Sequence, residues 1–114
     1  MRPRTTTPEE RAHVERVRSL PCICCEDEGR IQDSPTEAHH LVRSPRSGQT
    51  RGMGMRKPTH FETVPLCRGR HHWNGAGVNI PLCEFEARWG NELDLLERTY
   101  QRLGLPYPWP RRVA

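Results

Sequence analysis

Apolar residues come in short runs along this chain, each bounded by proline, glycine or a capping residue. Ala12, Val14 and Val17 form a partial apolar stripe behind Thr7-Pro8-Glu9-Glu10, a capping box with proline at the first helical position. The pattern predicts a short helix over residues 8–18, ended by Pro21, with Cys22-Ile23-Cys24-Cys25 following as a tight knuckle. Thr36 to Val42 and Phe61 to Leu66 read as two strands. The loop between them is rich in Arg, Ser and Gly. After Cys67 the chain should turn into a short helix around His71 to Asn74, broken by Gly75-Ala76-Gly77. A longer helical region runs from Leu82, interrupted near Gly90, with Leu93, Leu95, Leu96, Tyr100 and Leu103 as its buried residues. Gly104 and Leu105-Pro106-Tyr107-Pro108-Trp109-Pro110 stop that helix and leave an extended tail that could be mobile.

Composition makes these elements hard to stabilise alone. Only 33% of the 114 residues are hydrophobic, and 11 prolines and 9 glycines favour turns, so one small core would need a staple. Five cysteines could provide it. Their odd number, their close spacing and the lack of an apolar run in residues 1–20 favour a metal over disulfides, in a reducing, cytoplasmic compartment. No stretch approaches the roughly 18 consecutive apolar residues of a membrane span.

The formal net charge is +4, and Lys57 is the only lysine among 18 basic residues. Guanidinium forks match phosphate oxygens in a bidentate way, so an arginine-rich surface is compatible with nucleic acid. A coding bias toward arginine on a solvated surface accounts for the composition equally well. Arg43, Arg46, Arg51, Arg56 and Lys57 in the glycine-rich loop, with Arg68 and Arg70 beyond Cys67, are the candidates for phosphate contacts.

Cys22-x2-Cys25 and Cys67-x3-His71 are two pairs of ligands suited to tetrahedral zinc. One pair precedes the first strand and the other follows the second, so a shared Zn²⁺ would clamp the hairpin and provide folding energy. Cys24 could replace a neighbour as ligand, and Cys83 could join if the fold brings it near; otherwise both are small buried hydrophobic residues. His13 and His60 read as ordinary core or surface histidines. His39, His40 and His72 remain. Neighbours on a strand point to opposite faces, so His39 and His40 cannot both serve one metal, but one can bind a metal while the other addresses a water beside it.

Glu37-Ala38-His39-His40 on the first strand, Val64-Pro65-Leu66-Cys67 on the second and His71-His72 opening the helix resemble the HNH, or ββα-metal, nucleases. More narrowly, "CICCEDEGR", "EAHHLV", "GMGMRKPTHFETVPLCRGRHH" and "FEARWG" look like phage-associated recombination enhancement function nucleases and related prophage endonucleases. The resemblance covers about residues 20–104 and implies an α+β fold: a small zinc-stapled ββα-metal domain with flanking helices. The expected organisation is an N-terminal helical extension over residues 1–19, the nuclease domain over 20–104 and a proline-rich tail over 105–114. The Cys67-x3-His71 gap is one residue longer than the two intervening residues common among relatives, His60 stands where an acidic residue is frequent, and Asn74 or Asn79 stands where many carry a further histidine.

The resemblance implies that His40 is the general base, that His39 and His72 are ligands of a catalytic divalent ion, and that Asn79 could complete that set. Imidazole ligands suit Mn²⁺, Ni²⁺, Co²⁺ or a second Zn²⁺, with Mg²⁺ admissible if substrate oxygens and waters fill the shell. Glu37 could orient a ligand or assist the base, or be a solvent-facing strand carboxylate. The expected substrate is DNA, double-stranded, cleaved with low sequence specificity. A recombinase filament is a candidate partner, no membrane is implied, and a monomer is the default. The competing reading is a catalytically silent zinc module that binds DNA or a recombination protein.

Overall fold

A computed structural model of the chain describes residues 6–50, 58–72 and 81–110. Helix α1 spans Pro8–Arg18 with the expected capping box: Glu10 N–H donates to Thr7 Oγ1 at 3.1 Å, and Thr7 N–H to Glu10 Oε1 at 3.3 Å. Its inward face differs from the expected stripe. Glu10, His13 and Val17 turn in at helical spacing, while Ala12 is exposed and Val14 half-buried. His13 is a core residue here, its ring 5.2 Å from that of Phe61 and 5.4 Å from that of Tyr100.

The cysteine knuckle is the start of a short helix, α2 (Ile23–Asp27), whose N-cap Cys22 accepts the Cys25 N–H on its sulfur at 3.4 Å. Strands β1 (Thr36–His40) and β2 (Thr63–Cys67) form an antiparallel pair with His39 opposite Val64 and His40 opposite Thr63. β1 ends two residues before the predicted Val42. The reason lies in another element: the Val42 and Arg43 N–H groups both donate to Glu92 Oε1 at 2.8 Å instead of continuing the ladder. β2 begins later than Phe61 because residues 59–62 make a turn, with Thr59 N–H and Oγ1–H both donating to Glu62 Oε2 at 2.9 Å. Every residue of β2 is buried, for α1, α2 and a later helix over Glu92–Leu103 all pack on it.

β2 runs directly into a single π-helical turn, Arg68–His72, where a helix starting near His71 was expected. A π turn takes in one more residue than an α turn. That extra width accommodates the three residues between Cys67 and His71. Asn74, Gly75-Ala76-Gly77 and Asn79 lie outside the described residues.

Two further helices follow, α3 (Leu82–Trp89) and α4 (Glu92–Leu103). Gly90, at φ 109°, separates them; Asn91 caps α4, and Gly104, at φ 71°, ends it in the left-handed region. Leu93, Leu95, Leu96 and Tyr100 are buried as predicted, and Leu103 is only half-buried. Leu93, Leu95 and Leu96 meet Ile23, Leu41, Val64 and Leu66 in the core. Residues 105–110 are extended but folded back, with Tyr107 and Trp109 5.9 Å and 5.6 Å from the Tyr100 ring. The architecture is α+β. Among the described residues, no helix is long and apolar enough to cross a membrane.

Candidate metal and catalytic centre

The two predicted ligand pairs meet. Cys22 Sγ, Cys25 Sγ, Cys67 Sγ and one His71 nitrogen all lie within 4.8 Å of one another, and all four residues are buried. His71 Nδ1 is 3.1 Å from Cys67 Sγ, 3.4 Å from Cys22 Sγ and 3.6 Å from Cys25 Sγ; the Cys25 and Cys67 sulfurs are 3.6 Å apart. A tetrahedron with zinc bonds of about 2.3 Å to sulfur and about 2.0 Å to nitrogen has S–S edges of about 3.8 Å and S–N edges of about 3.5 Å. The donor set and spacing therefore fit a metal ion such as zinc. Cys24 is buried next to this group without belonging to it, and Cys83 is exposed on α3.

Glu28, just past α2, accepts a hydrogen bond from His71 Nε2 at 2.6 Å. A carboxylate on the far nitrogen fixes the tautomer so that Nδ1 faces the sulfurs. The Cys24 hydrogen bond first, opposed by burial and helped by His71, holds the Cys22 thiol well below the usual thiol range. The Cys24 thiol is pushed up first by its bond to Cys22, and the Cys25 thiol first by burial.

His72, the next residue, leaves the cluster for a different place. It lines an open cleft of about 550 Å³ with Glu37, Ala38, His40 and His60 on one side and Arg11, Val14 and Arg18 of α1 on the other. His72 Nδ1 bonds Glu37 Oε1 at 2.7 Å, and Arg68 Nε–H donates to Glu37 Oε2 at 3.0 Å. Glu37 thus orients a histidine. His40 Nε2 is 2.9 Å from His60 Nδ1, and His60 Nε2 is 3.3 Å from Thr6 Oγ1. Burial first, then the neighbouring His60, His39 and His72, lowers the His40 pKa below its ordinary value.

His39 faces the other side of β1, as strand geometry requires. It is 5% exposed, with Nε2 2.9 Å from Glu92 Oε2, its ring 5.5 Å from that of His72 and 6.1 Å from that of Phe85. Glu92 is fully buried and accepts three hydrogen bonds, from His39 and from the Val42 and Arg43 N–H groups. The rings of His39 and His72 come together, but among the described residues no third donor joins them in a metal-sized group. Asn79 lies outside those residues.

The residues expected to contact phosphate divide into three groups. Arg43 is clamped, its guanidinium bidentate to Glu86 at 2.7 and 2.8 Å and donating to Gly48 O at 2.9 Å, so a phosphate would have to break that clamp. Arg46 is exposed, Arg68 reaches Glu37, and Arg70 lies 3.6 Å from Glu28. Arg51, Arg56 and Lys57 lie outside the described residues.

Glu28, Glu92 and the α1 arginines were not singled out from the sequence, and His60, read there as an ordinary histidine, lines the cleft against His40. Nothing local marks Glu92, whose partners are about 50 positions away. His60 and Arg11 carried no spacing signal either, since the cleft forms only when α1 packs on the hairpin.

A family model described as recombination enhancement, RecA-dependent nuclease matches residues 6–104, a span that includes α1. No curated protein matches the chain.

Proposed function

Since the chain belongs to the family of recombination enhancement, RecA-dependent nucleases, we propose that it is a metal-dependent HNH endonuclease that hydrolyses DNA phosphodiester bonds with little sequence specificity. One observation carries this reading: His40 and His72 line a single open cleft, and His72 adjoins the buried Cys22, Cys25, Cys67 and His71 cluster. In it the cluster holds a structural zinc that fixes the hairpin and the turn. The cleft does the chemistry.

His40 takes a proton from water, whose oxygen bonds to phosphorus as the bond to the 3′ oxygen breaks; the 3′ oxygen leaves as an alkoxide and takes a proton from solvent water, so the products are a 5′ phosphate and a 3′ hydroxyl. His39 and His72 are the ligands for a divalent ion, which when bound supplies charge stabilisation to the phosphate. Each is held by a carboxylate, Glu92 or Glu37, the pattern that leaves the opposite ring nitrogen with its lone pair. Arg11 and Arg18 form the facing wall and hold the phosphate backbone, with Arg46 and Arg68 as further contacts. The family description makes a RecA filament on DNA the partner to include.

The test is plasmid cleavage and cleavage of RecA-coated DNA in a panel of divalent ions, beside His40→Ala with matched zinc content. Ion-dependent cleavage that disappears in the variant is expected. Equal cleavage by the variant refutes His40 as the base. The second reading, a catalytically silent zinc module, draws on His39 and His72 forming no metal-sized group with a third His, Cys, Asp or Glu among the described residues. It predicts DNA binding and no cleavage in any ion.

A further inference from the structure

His60 lies 20 residues from His40 and outside the ligand pattern, yet the two imidazoles are in hydrogen-bond contact inside the cleft. His40 Nε2 and His60 Nδ1 are 2.9 Å apart, with ring planes at 70°, and on the far side of His60 its Nε2 is 3.3 Å from Thr6 Oγ1. A neutral imidazole carries one hydrogen, so only two arrangements satisfy the short contact.

If His60 donates from Nδ1, His40 Nε2 spends its lone pair on that bond and its hydrogen sits on Nδ1. Neither nitrogen of His40 could then take a proton from water. If His40 donates from Nε2, its Nδ1 keeps a lone pair. His60 Nδ1 is then the acceptor, its hydrogen is on Nε2, and Thr6 Oγ1 accepts that hydrogen. Only the second arrangement leaves His40 competent as a base.

We propose that His60 is a positioning residue that holds His40 in the tautomer with a basic Nδ1, with Thr6 fixing the tautomer of His60 in turn. This rests on the reading of His40 as the general base. In the step, water gives its proton to His40 Nδ1 as its oxygen bonds to phosphorus. The resulting imidazolium keeps its Nε2–H on His60 Nδ1, which stabilises the charge without entering the reaction. His60 therefore acts on turnover and not on substrate affinity.

The variants are His60→Leu, which removes the acceptor, and His60→Asp, which restores an acceptor that cannot donate. His60→Leu should lower kcat by about 10–100-fold, on the order of the loss seen when the hydrogen-bond partner that orients a metal-ligating histidine is removed, with KM within about twofold and zinc content unchanged. His60→Asp should recover most of kcat. Loss of activity in His60→Asp to the level of His60→Leu would overturn the proposal, because it would mean that His60 serves as a donor. So would an unchanged kcat in His60→Leu.

Imidazole ¹⁵N spectra of the unsubstituted protein give an answer independent of activity and of how well the variants fold. His40 should carry its hydrogen on Nε2 at neutral pH, and a hydrogen on Nδ1 instead would overturn the proposal. Cleavage that survives His40→Ala would instead refute the general-base reading on which this one stands.

Discussion

Replacing Glu92 by Gln tests whether one buried carboxylate holds β1, α4 and the candidate ligand His39 together. The change keeps volume and shape, so no cavity confuses the result. The carboxylate accepts from His39 Nε2 at 2.9 Å and from the Val42 and Arg43 N–H groups at 2.8 Å each. Hydrogen bonds to a charged group contribute about 1.5–3 kcal/mol each, and neutral ones about 0.5–1.5, so each bond should weaken by about 1 kcal/mol. The Gln oxygen can still accept both N–H groups, and its amide can reach His39 only if that ring changes tautomer. Three weakened bonds amount to about 3 kcal/mol of lost stability. For a domain of this size that is a fall of about 12 °C in Tm. The assay is thermal and urea unfolding of zinc-matched protein, with Glu92→Ala as a more damaging control that leaves the N–H groups without an acceptor. A fall of less than about 3 °C in Glu92→Gln would refute the claim that the charge organises this junction.

The other predictions concern separate parts of the molecule. Purified protein should contain about one zinc per chain, and a strong chelator or Cys67→Ser should unfold it cooperatively; a metal-free chain with an unchanged melt would refute the staple. Burial, and then the charge of Arg16, lowers the His13 pKa below 6.5, so the folded state resists the proton that the unfolded chain accepts. Stability from this residue should be complete above about pH 6.5 and decline as pH falls through the window down to the folded value; comparing unfolding at about pH 7.5 and pH 5.5, the acid loss should be smaller in His13→Phe than in the parent protein. Arg11→Ala and Arg18→Ala should each weaken DNA binding and reduce the slope of log affinity against log salt by about 1, and unchanged slopes would remove α1 from the interface.

Local chemistry made most elements readable before the structure. The capping box at Thr7 and Glu10 set the start of α1, and the leucine spacing identified the buried face of α4. The cysteine and histidine spacings located the metal cluster because each pair is a local motif. What escaped was set by distant partners. Past the Leu41 N–H, which donates to Glu62 O, β1 cannot extend because Glu92 takes the Val42 and Arg43 N–H groups, and His13 rather than Ala12 turns inward because Phe61 and Tyr100 provide an aromatic niche. Arg43 looked free to meet a phosphate until Glu86, 43 positions on, was found to clamp it. The tail behaves similarly, since Tyr107 and Trp109 need the Tyr100 ring in place before they have anything to pack on.

The π turn at Arg68–His72 also bears on how the length of this chain can drift. A π turn is what an α turn becomes after taking in one residue, and no wider regular turn exists to take in another. Cys67 and His71 both need to reach the cluster, and His72 needs to reach Glu37, within six consecutive residues. An insertion there would displace a ligand of one site and a wall of the other together. The connection between the strands is under a weaker constraint, for the entropy of closing a loop grows only slowly with its length. Viable descendants of this sequence should therefore vary in length between β1 and β2 and keep a fixed count from Cys67 to His72, losing a residue there only where the turn reverts to the α form.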